Sequence, residues 1–452
     1  MRSRVRWLAV TCAVASTTAA GAMIARSAFQ APIIRPVDER TLREYAGPYQ
    51  WEQGGFVYVE MWGEFTGTPQ LGAFDESGDV RALYPTDRDR FFAGPGMAVS
   101  TAVESRIEFQ RDNAGKLISL RWLQDGGAAR VARRTDTERR EEVSFSNGGV
   151  QLSGTLIAPT VGERHPAIVL VHASGPADRE QVLPFARFLV GHGMAILGFD
   201  KRGVGRSTGD WNTASFEDLA GDAVAAIDYL KTRADIDLGQ IGVVGWSQAG
   251  WIMPLVAGRV SDLAFLISIS GAGIVPAETT IDQAQNEMKA RGMKPQTIAE
   301  IVDLMKLQYQ FAQTGQGWDQ YAAAREKIAA WLGRPPDTFP AAADHPSWQV
   351  MRRLYFHDPA PALRQLRTPT LAIFGELDQN IVAQRNSAAW QAALKEGGHR
   401  DYTLRTLPRA NHTQLEAKSG AIPETASLRR FVPEYASTIR DWLAARVRGF
   451  RR

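Results

Sequence analysis

Three residue types that together perform acyl transfer lie far apart in this chain, each just after an apolar run. Ser247 sits in Val243-Val244-Gly245-Trp246-Ser247-Gln248-Ala249-Gly250, directly after Ile241-Gly242-Val243-Val244. A buried strand that runs into Gly-x-Ser-x-small and then a helix lifts the hydroxyl clear of the backbone. Small residues at Gly245 and Ala249 leave room for the strained turn. A serine hydroxyl is a weak nucleophile until a base stands beside it. His412, in Pro408-Arg409-Ala410-Asn411-His412, follows the run Tyr402 to Leu407. It would take the serine proton and return it to the leaving group. Asp378, in Gly375-Glu376-Leu377-Asp378, follows Thr370 to Phe374. It would hold the imidazole tautomer and stabilise the imidazolium. Glu376 is a rival acid two residues away; Asp378 is preferred because it lies further out on the turn. A serine between glycines is more often a plain turn, and the chain has seven histidines. The joint order, with each residue at a strand end, favours chemistry.

Such a site needs two N–H donors aimed at the charge that develops on the attacked oxygen. Gln248, at the start of the helix, supplies one. The loop His172-Ala173-Ser174-Gly175-Pro176 supplies the other, assigned to the Ser174 N–H. His172 reads as a structural residue that orients this loop. Asp200-Lys201-Arg202-Gly203-Val204-Gly205-Arg206-Ser207 is rich in glycine. Its spacing to Gly209 is one residue too long for a dinucleotide fingerprint, and the next helix begins too late to meet a pyrophosphate. It reads as a structural turn, with Asp200 and Arg202 pinning loops near the site. Phosphate-loop, zinc-helix and cysteine-cluster motifs are absent from the sequence, so neither cofactor nor metal is implied.

These residues need a frame. A hairpin around Asn147-Gly148-Gly149 opens the second part of the chain. Strands are then expected at Ala167–His172, Ala195–Phe199, Ile241–Gly245, Leu263–Ser270, Thr370–Phe374 and Tyr402–Leu407. Helical stretches such as Phe216–Thr232 fall between them. Alternation of this kind predicts a mostly parallel sheet with helices on both faces. From about 274 to 366 the pattern is helical with no strand, and Ile298, Ile301, Val302, Met305 and Tyr309 share one face. An insertion after a central strand is expected to be a lid over the site; the alternative is a solvated decoration. Ahead of the hairpin, residues 38–134 read as a small β-rich domain without a useful helical period. Alternating strands flank Asp112-Asn113-Ala114-Gly115. The charge-dense Arg133 to Glu142 reads as a linker, and 141–452 as the catalytic domain.

Composition excludes some partners. The chain has 452 residues, 44% hydrophobic and 22% charged, with a formal net charge of +3. That charge is too small to argue for nucleic acid. Arg2, Arg4 and Arg6 precede a mostly apolar run from Leu8 to about Ala25, with small residues at Ala20 and Ala22. Residues 1–28 therefore read as a signal peptide, predicting a periplasmic or secreted protein with no membrane span in the mature chain. An uncleaved N-terminal membrane anchor is the alternative. Cys12, the only cysteine, lies within that run. The oligomeric state is not legible.

In the order Ser…Asp…His the chain resembles the α/β-hydrolase superfamily. The resemblance rests on His172-Ala173-Ser174-Gly175-Pro176, Asp200 to Gly205, Gly245 to Gly250, Gly375 to Asp378 and Asn411-His412, and spans roughly Glu141 to the C-terminus. In detail it is similar to secreted bacterial serine carboxylesterases with an N-terminal β domain. Leu42-Arg43-Glu44-Tyr45-Ala46-Gly47-Pro48-Tyr49 looks like the opening of such domains. Ala173 and Ala249 depart from the usual glycines, adding a methyl where the backbone must pass closely. The resemblance implies hydrolysis of a small-molecule carboxylic ester through an acyl-serine. A peptidase or thioesterase using the same residues is the alternative. A non-catalytic cell-envelope binding protein is the alternative from another class.

Overall fold

The computed structural model describes residues 32–63, 68–332 and 338–451. The expected signal peptide lies outside them. The first eight strands are β1 (Gly47–Trp51), β2 (Phe56–Met61), β3 (Leu71–Asp75), β4 (Val80–Asp87), β5 (Arg90–Ala93), β6 (Ser105–Arg111), β7 (Leu117–Gln124) and β8 (Ala129–Arg134). They close into an antiparallel barrel. Closure removes the exposed edges that a free sheet would present. Alternate residues point inward: Val59, Leu71, Leu83, Ala93, Ile107, Leu120 and Ala132 are among those forming its core. The β6–β7 turn forms because the Asp112 carboxylate accepts from the Ala114 and Lys116 N–H groups (both 2.9 Å).

A short helix, Glu39–Tyr45, precedes the barrel, where the sequence suggested none. Asp38 caps it by accepting from the Thr41 N–H at 3.0 Å. Its buried Leu42 and Tyr45 join the barrel core. Seven residues are too few to show a helical period; the Asp-x-x-Thr cap was the available signal.

The remaining strands are β9 (Glu138–Asn147), β10 (Val150–Pro159), β11 (His165–Val171), β12 (Ala195–Phe199), β13 (Ile236–Trp246), β14 (Phe265–Ile269), β15 (Thr370–Gly375) and β16 (Tyr402–Leu407). They form one sheet in the order β16-β15-β14-β13-β11-β12-β10-β9. The β9–β10 hairpin and the β10–β12 pair are antiparallel; the other pairs are parallel. Strands β11, β12, β14 and β15 are buried along their whole length, as two helix-covered faces require. A separate hydrophobic core lies on each face.

The stretch read as a charged linker is mostly strand. Only Thr135-Asp136-Thr137 separates β8 from β9. Its charges are spent on ion pairs: Arg140 with the barrel's Glu60 at 2.6 Å, Glu138 with Arg187, and Arg139 with Asp235. Pairing partners distant in sequence give a charged stretch a fixed place that local patterning does not reveal.

The insertion after β14 is helical, with helices at Pro276–Ala290, Pro295–Thr314, Trp318–Leu332, Ser347–Leu354 and Ala360–Gln365. It has a core of its own around Leu304, Phe311, Tyr321 and Trp348.

Candidate active site

Strand order decides where the site lies. The chain leaves β11 for β12 on one side, and β13 then pairs with β11 on the other. Crevices at such a switch, beyond the carboxyl ends of the strands, are where open α/β sheets bind ligands. Ser247 follows β13 there. It has φ of 59°, a left-handed backbone that a non-glycine residue adopts only when its surroundings enforce it. Here the Ser247 N–H donates to the Ile269 carbonyl at 3.0 Å, and its own carbonyl accepts from Gly250 and Ala272. A Cβ on Gly245 would sit 2.4 Å from that of Ala249, and one on Gly250 would sit 2.4 Å from the Ala272 backbone. The methyl of Ala249 is accommodated because Gly245 has no side chain, and Gly250 lets the helix pass close to Ala272.

The structure brings Ser247, His412 and Asp378 into one hydrogen-bonded chain. His412 Nδ1 lies 2.8 Å from Asp378 Oδ2, and His412 Nε2 lies 3.1 Å from Ser247 Oγ. A carboxylate only accepts, so Nδ1 carries the proton and Nε2 is left to accept from the serine. The Asp378 side chain is fully buried, and its second oxygen accepts from the Asn380 and Ile381 N–H groups (2.9 and 2.8 Å). Glu376 is turned elsewhere and accepts from the Arg409 N–H at 2.8 Å. Position on the turn thus separates the two acids.

Several residues hold His412 in place. The Asn411 side chain accepts from the Thr413 and Leu415 N–H groups, shaping the turn around the imidazole. Trp246 Nε1 donates to the His412 carbonyl at 2.9 Å, and the two rings are 5.0 Å apart. Gln414, with φ of 61°, donates to Ser270 Oγ at 2.8 Å. Sequence reasoning assigned no role to Gln414 or Ser270, because they meet only across the sheet.

On the other wall, no protein acceptor engages the N–H of Gln248 or of Ser174 among the described residues. Ala173 N–H is committed to Gln181 Oε1 at 3.0 Å. Lys201, buried and ignored by the sequence reading, donates from Nζ to the carbonyls of Ala173 (2.6 Å) and Gly175 (2.8 Å). It clamps both sides of Ser174. Its signal was a lysine at the end of an apolar strand. His172 accompanies it: its Nε2 meets the Phe199 carbonyl. Burial, helped by the Lys201 charge, pushes its pKa down from 6.5 to about 3. A neutral, buried imidazole fits an orienting role. Asp200 accepts from the Arg179 side chain and from the Arg179 and Arg206 N–H groups. Burial alone would raise its carboxyl, but these donors hold it below the usual range. Arg202 pairs with Asp222 at 2.7 Å.

The helical insertion reaches both sides of this region. Asn286 donates to the carbonyl of Gln379, next to Asp378, at 3.1 Å. Arg353 reaches the Asn212 carbonyl on the opposite side. At its root, Trp251 Nε1 donates to the Ile274 carbonyl at 2.7 Å. Among the described residues, no group of three or more His, Cys, Asp or Glu is arranged to hold a metal.

Fold and site together are those of the α/β-hydrolase class. Residues 148–414 match the X-Pro dipeptidyl-peptidase (S15) family, and the chain belongs to it. Among its relatives, esterase EstD of Thermotoga maritima is 24% identical over 296 residues, covering 64% of this chain and 63% of EstD. Dipeptidyl-peptidase 5 of Porphyromonas gingivalis is 24% identical over 291 residues, covering 61% of this chain and 35% of that protein. The chain therefore spans less than two thirds of the length of either relative. Among solved structures, Est1E of Butyrivibrio proteoclasticus, with ferulic acid bound, aligns with a TM-score of 0.42 at 17% identity, over 67% of this chain and 99% of its own. An esterase of Pyrococcus furiosus aligns with a TM-score of 0.44 at 18% identity, over 68% and 91%.

Proposed function

We propose that this protein is an exported carboxylic-ester hydrolase that works through an acyl-Ser247 intermediate. The observation that carries the reading is the Asp378–His412–Ser247 hydrogen-bond chain at the switch point of the sheet. In this reading Ser247 Oγ attacks the ester carbonyl as His412 Nε2 takes its proton. The tetrahedral oxyanion rests on the N–H groups of Gln248 and Ser174. Collapse expels the alcohol, protonated by His412. Water, deprotonated by the same imidazole, then releases the acid. Asp378 keeps the imidazole oriented throughout, and Lys201 and His172 hold the Ser174 loop. The substrate is a small ester, with the helical insertion as its lid. Export rests on Arg2, Arg4, Arg6 and the apolar run after them; N-terminal sequencing of the periplasmic or secreted fraction checks it.

Hydrolysis of short and medium p-nitrophenyl esters by wild type and Ser247→Ala tests the main reading. Loss of more than about 10³-fold in kcat is expected, and equal activity in the two proteins sinks it. The family's peptidase members favour a second reading, cleavage of an amide by the same residues. A panel of esters and Xaa-Pro anilides separates the two by kcat/KM.

A further inference from the structure

A large cavity lies away from Ser247. It has a volume of about 1210 Å³ and occupies one mouth of the barrel. Its inner wall is made of inward-facing barrel residues: Trp51, Val57, Ala73 and Trp122. Its outer wall comes from loops of the hydrolase sheet, including Glu376, Leu377 and Arg409, close in sequence to Asp378 and His412. The opposite end of the barrel interior is filled by aromatic packing among Tyr45, Tyr49, Phe91 and Phe109.

Charge accounting says what kind. The lining has six basic residues and four acids, and four of its arginines share two of those carboxylates. Arg81 and Arg429 pair with Asp79 (3.2 and 3.1 Å), and Arg409 and Arg430 pair with Glu416 (2.6 and 2.7 Å). Asp75 is turned back onto its own loop, accepting from the Ser77 and Asp79 N–H groups. Two cations are left over. Arg130 lies 3.9 Å over the Trp51 ring, and neither it nor Lys418 Nζ meets a carboxylate among the described residues. The Trp51 indole N–H is buried and meets no acceptor. The surplus is two cations, beside indole and aliphatic surface. Such a set asks for an acceptor bearing negative charge on an apolar body.

We propose that the barrel mouth is a second binding site, for a small amphipathic carboxylate. Its carboxylate is held by Arg130 and Lys418, and its apolar part lies against Trp51, Trp122, Val57 and Ala73. Pockets for small ligands combine apolar walls with a few converging polar groups in this way.

Calorimetric titration with sodium decanoate, with decanol as the uncharged control, tests the proposal. The protein is the full mature chain with Ser247 blocked by a fluorophosphonate, so that the Ser247 site does not contribute. Decanoate is expected to bind at least about tenfold more tightly than decanol. The double variant Arg130→Gln/Lys418→Gln is expected to weaken decanoate by about tenfold. Thermal unfolding without ligand checks that this variant folds. Absence of decanoate binding, equal affinity for decanol, or undiminished affinity in the folded double variant overturns the proposal.

Discussion

Two carboxylates two residues apart have unequal roles because only one reaches the imidazole. Asp378→Asn keeps the shape but presents an amide to Nδ1. It is expected to lower kcat on the order of 10⁴-fold. Glu376→Gln, which touches only the Arg409 N–H, is expected to lower it less than about tenfold. Steady-state kinetics on one ester compares the pair. His172 makes a pH prediction. In the folded chain its pKa is about 3, against the ordinary 6.5, so the folded state resists its protonation. Its contribution is fully present above 6.5 and is lost as pH falls toward about 3. The slope is about 1.4 kcal/mol per pH unit. Urea unfolding from about pH 7 down to about pH 4 is expected to show a slope shallower by about one proton in His172→Gln.

At the level of elements, the turn into the helix after Ser247 works because side chains are missing. A methyl on Gly250 would meet the Ala272 backbone nitrogen and oxygen at 2.4 Å, where nothing flexible can yield. Gly250→Ala is expected to cost about 1–3 kcal/mol of stability. It is also expected to tilt the helix that begins beside Ser247, lowering kcat more than it raises KM. Calorimetry and kinetics on the same preparation check both. The helical insertion belongs to this scale as well. Its bonds to the Gln379 and Asn212 carbonyls tie it to the acid turn on one side and to the loop after β12 on the other.

Across the whole molecule, barrel and sheet are joined by buried charge. Glu60, on β2, accepts from Arg140 on β9 and from Arg187. Arg187 is 1% exposed and stacks over Tyr58 at 4.6 Å. Burial would raise the Glu60 carboxyl, but the two guanidinium groups outweigh it and hold it below the usual range. Its contribution is present above the ordinary pKa of 4.5 and is lost as pH falls below it. Glu60→Gln removes one of the two carboxylates, Glu60 and Glu138, that pair with the fully buried Arg187. It is expected to destabilise the protein by about 3–5 kcal/mol, read as a fall in the urea midpoint at neutral pH. The more conservative removal of an exposed pair such as Lys306–Asp303 is expected to change it by less than about 1 kcal/mol.

Much of this was legible from residue order. Apolar runs buried on both faces announce central strands, so β11, β12, β14 and β15 fall within about two residues of their expected places. The reactive residues at their ends were legible for the same reason: strand, sharp turn and polar residue recur in fixed order. The sequence alone therefore determined the parallel sheet, the insertion and the three residues now found in one hydrogen-bonded chain. What it left open depended on partners remote in the chain. Lys201 acts through carbonyls 26 and 28 residues before it. Gln414 meets Ser270 across 144 residues, and Glu60 meets Arg187 across 127. Barrel closure and the cation surplus at the barrel mouth were decided only by tertiary structure. Each depends on which distant side chains share a buried, poorly solvated space, and no local period records that.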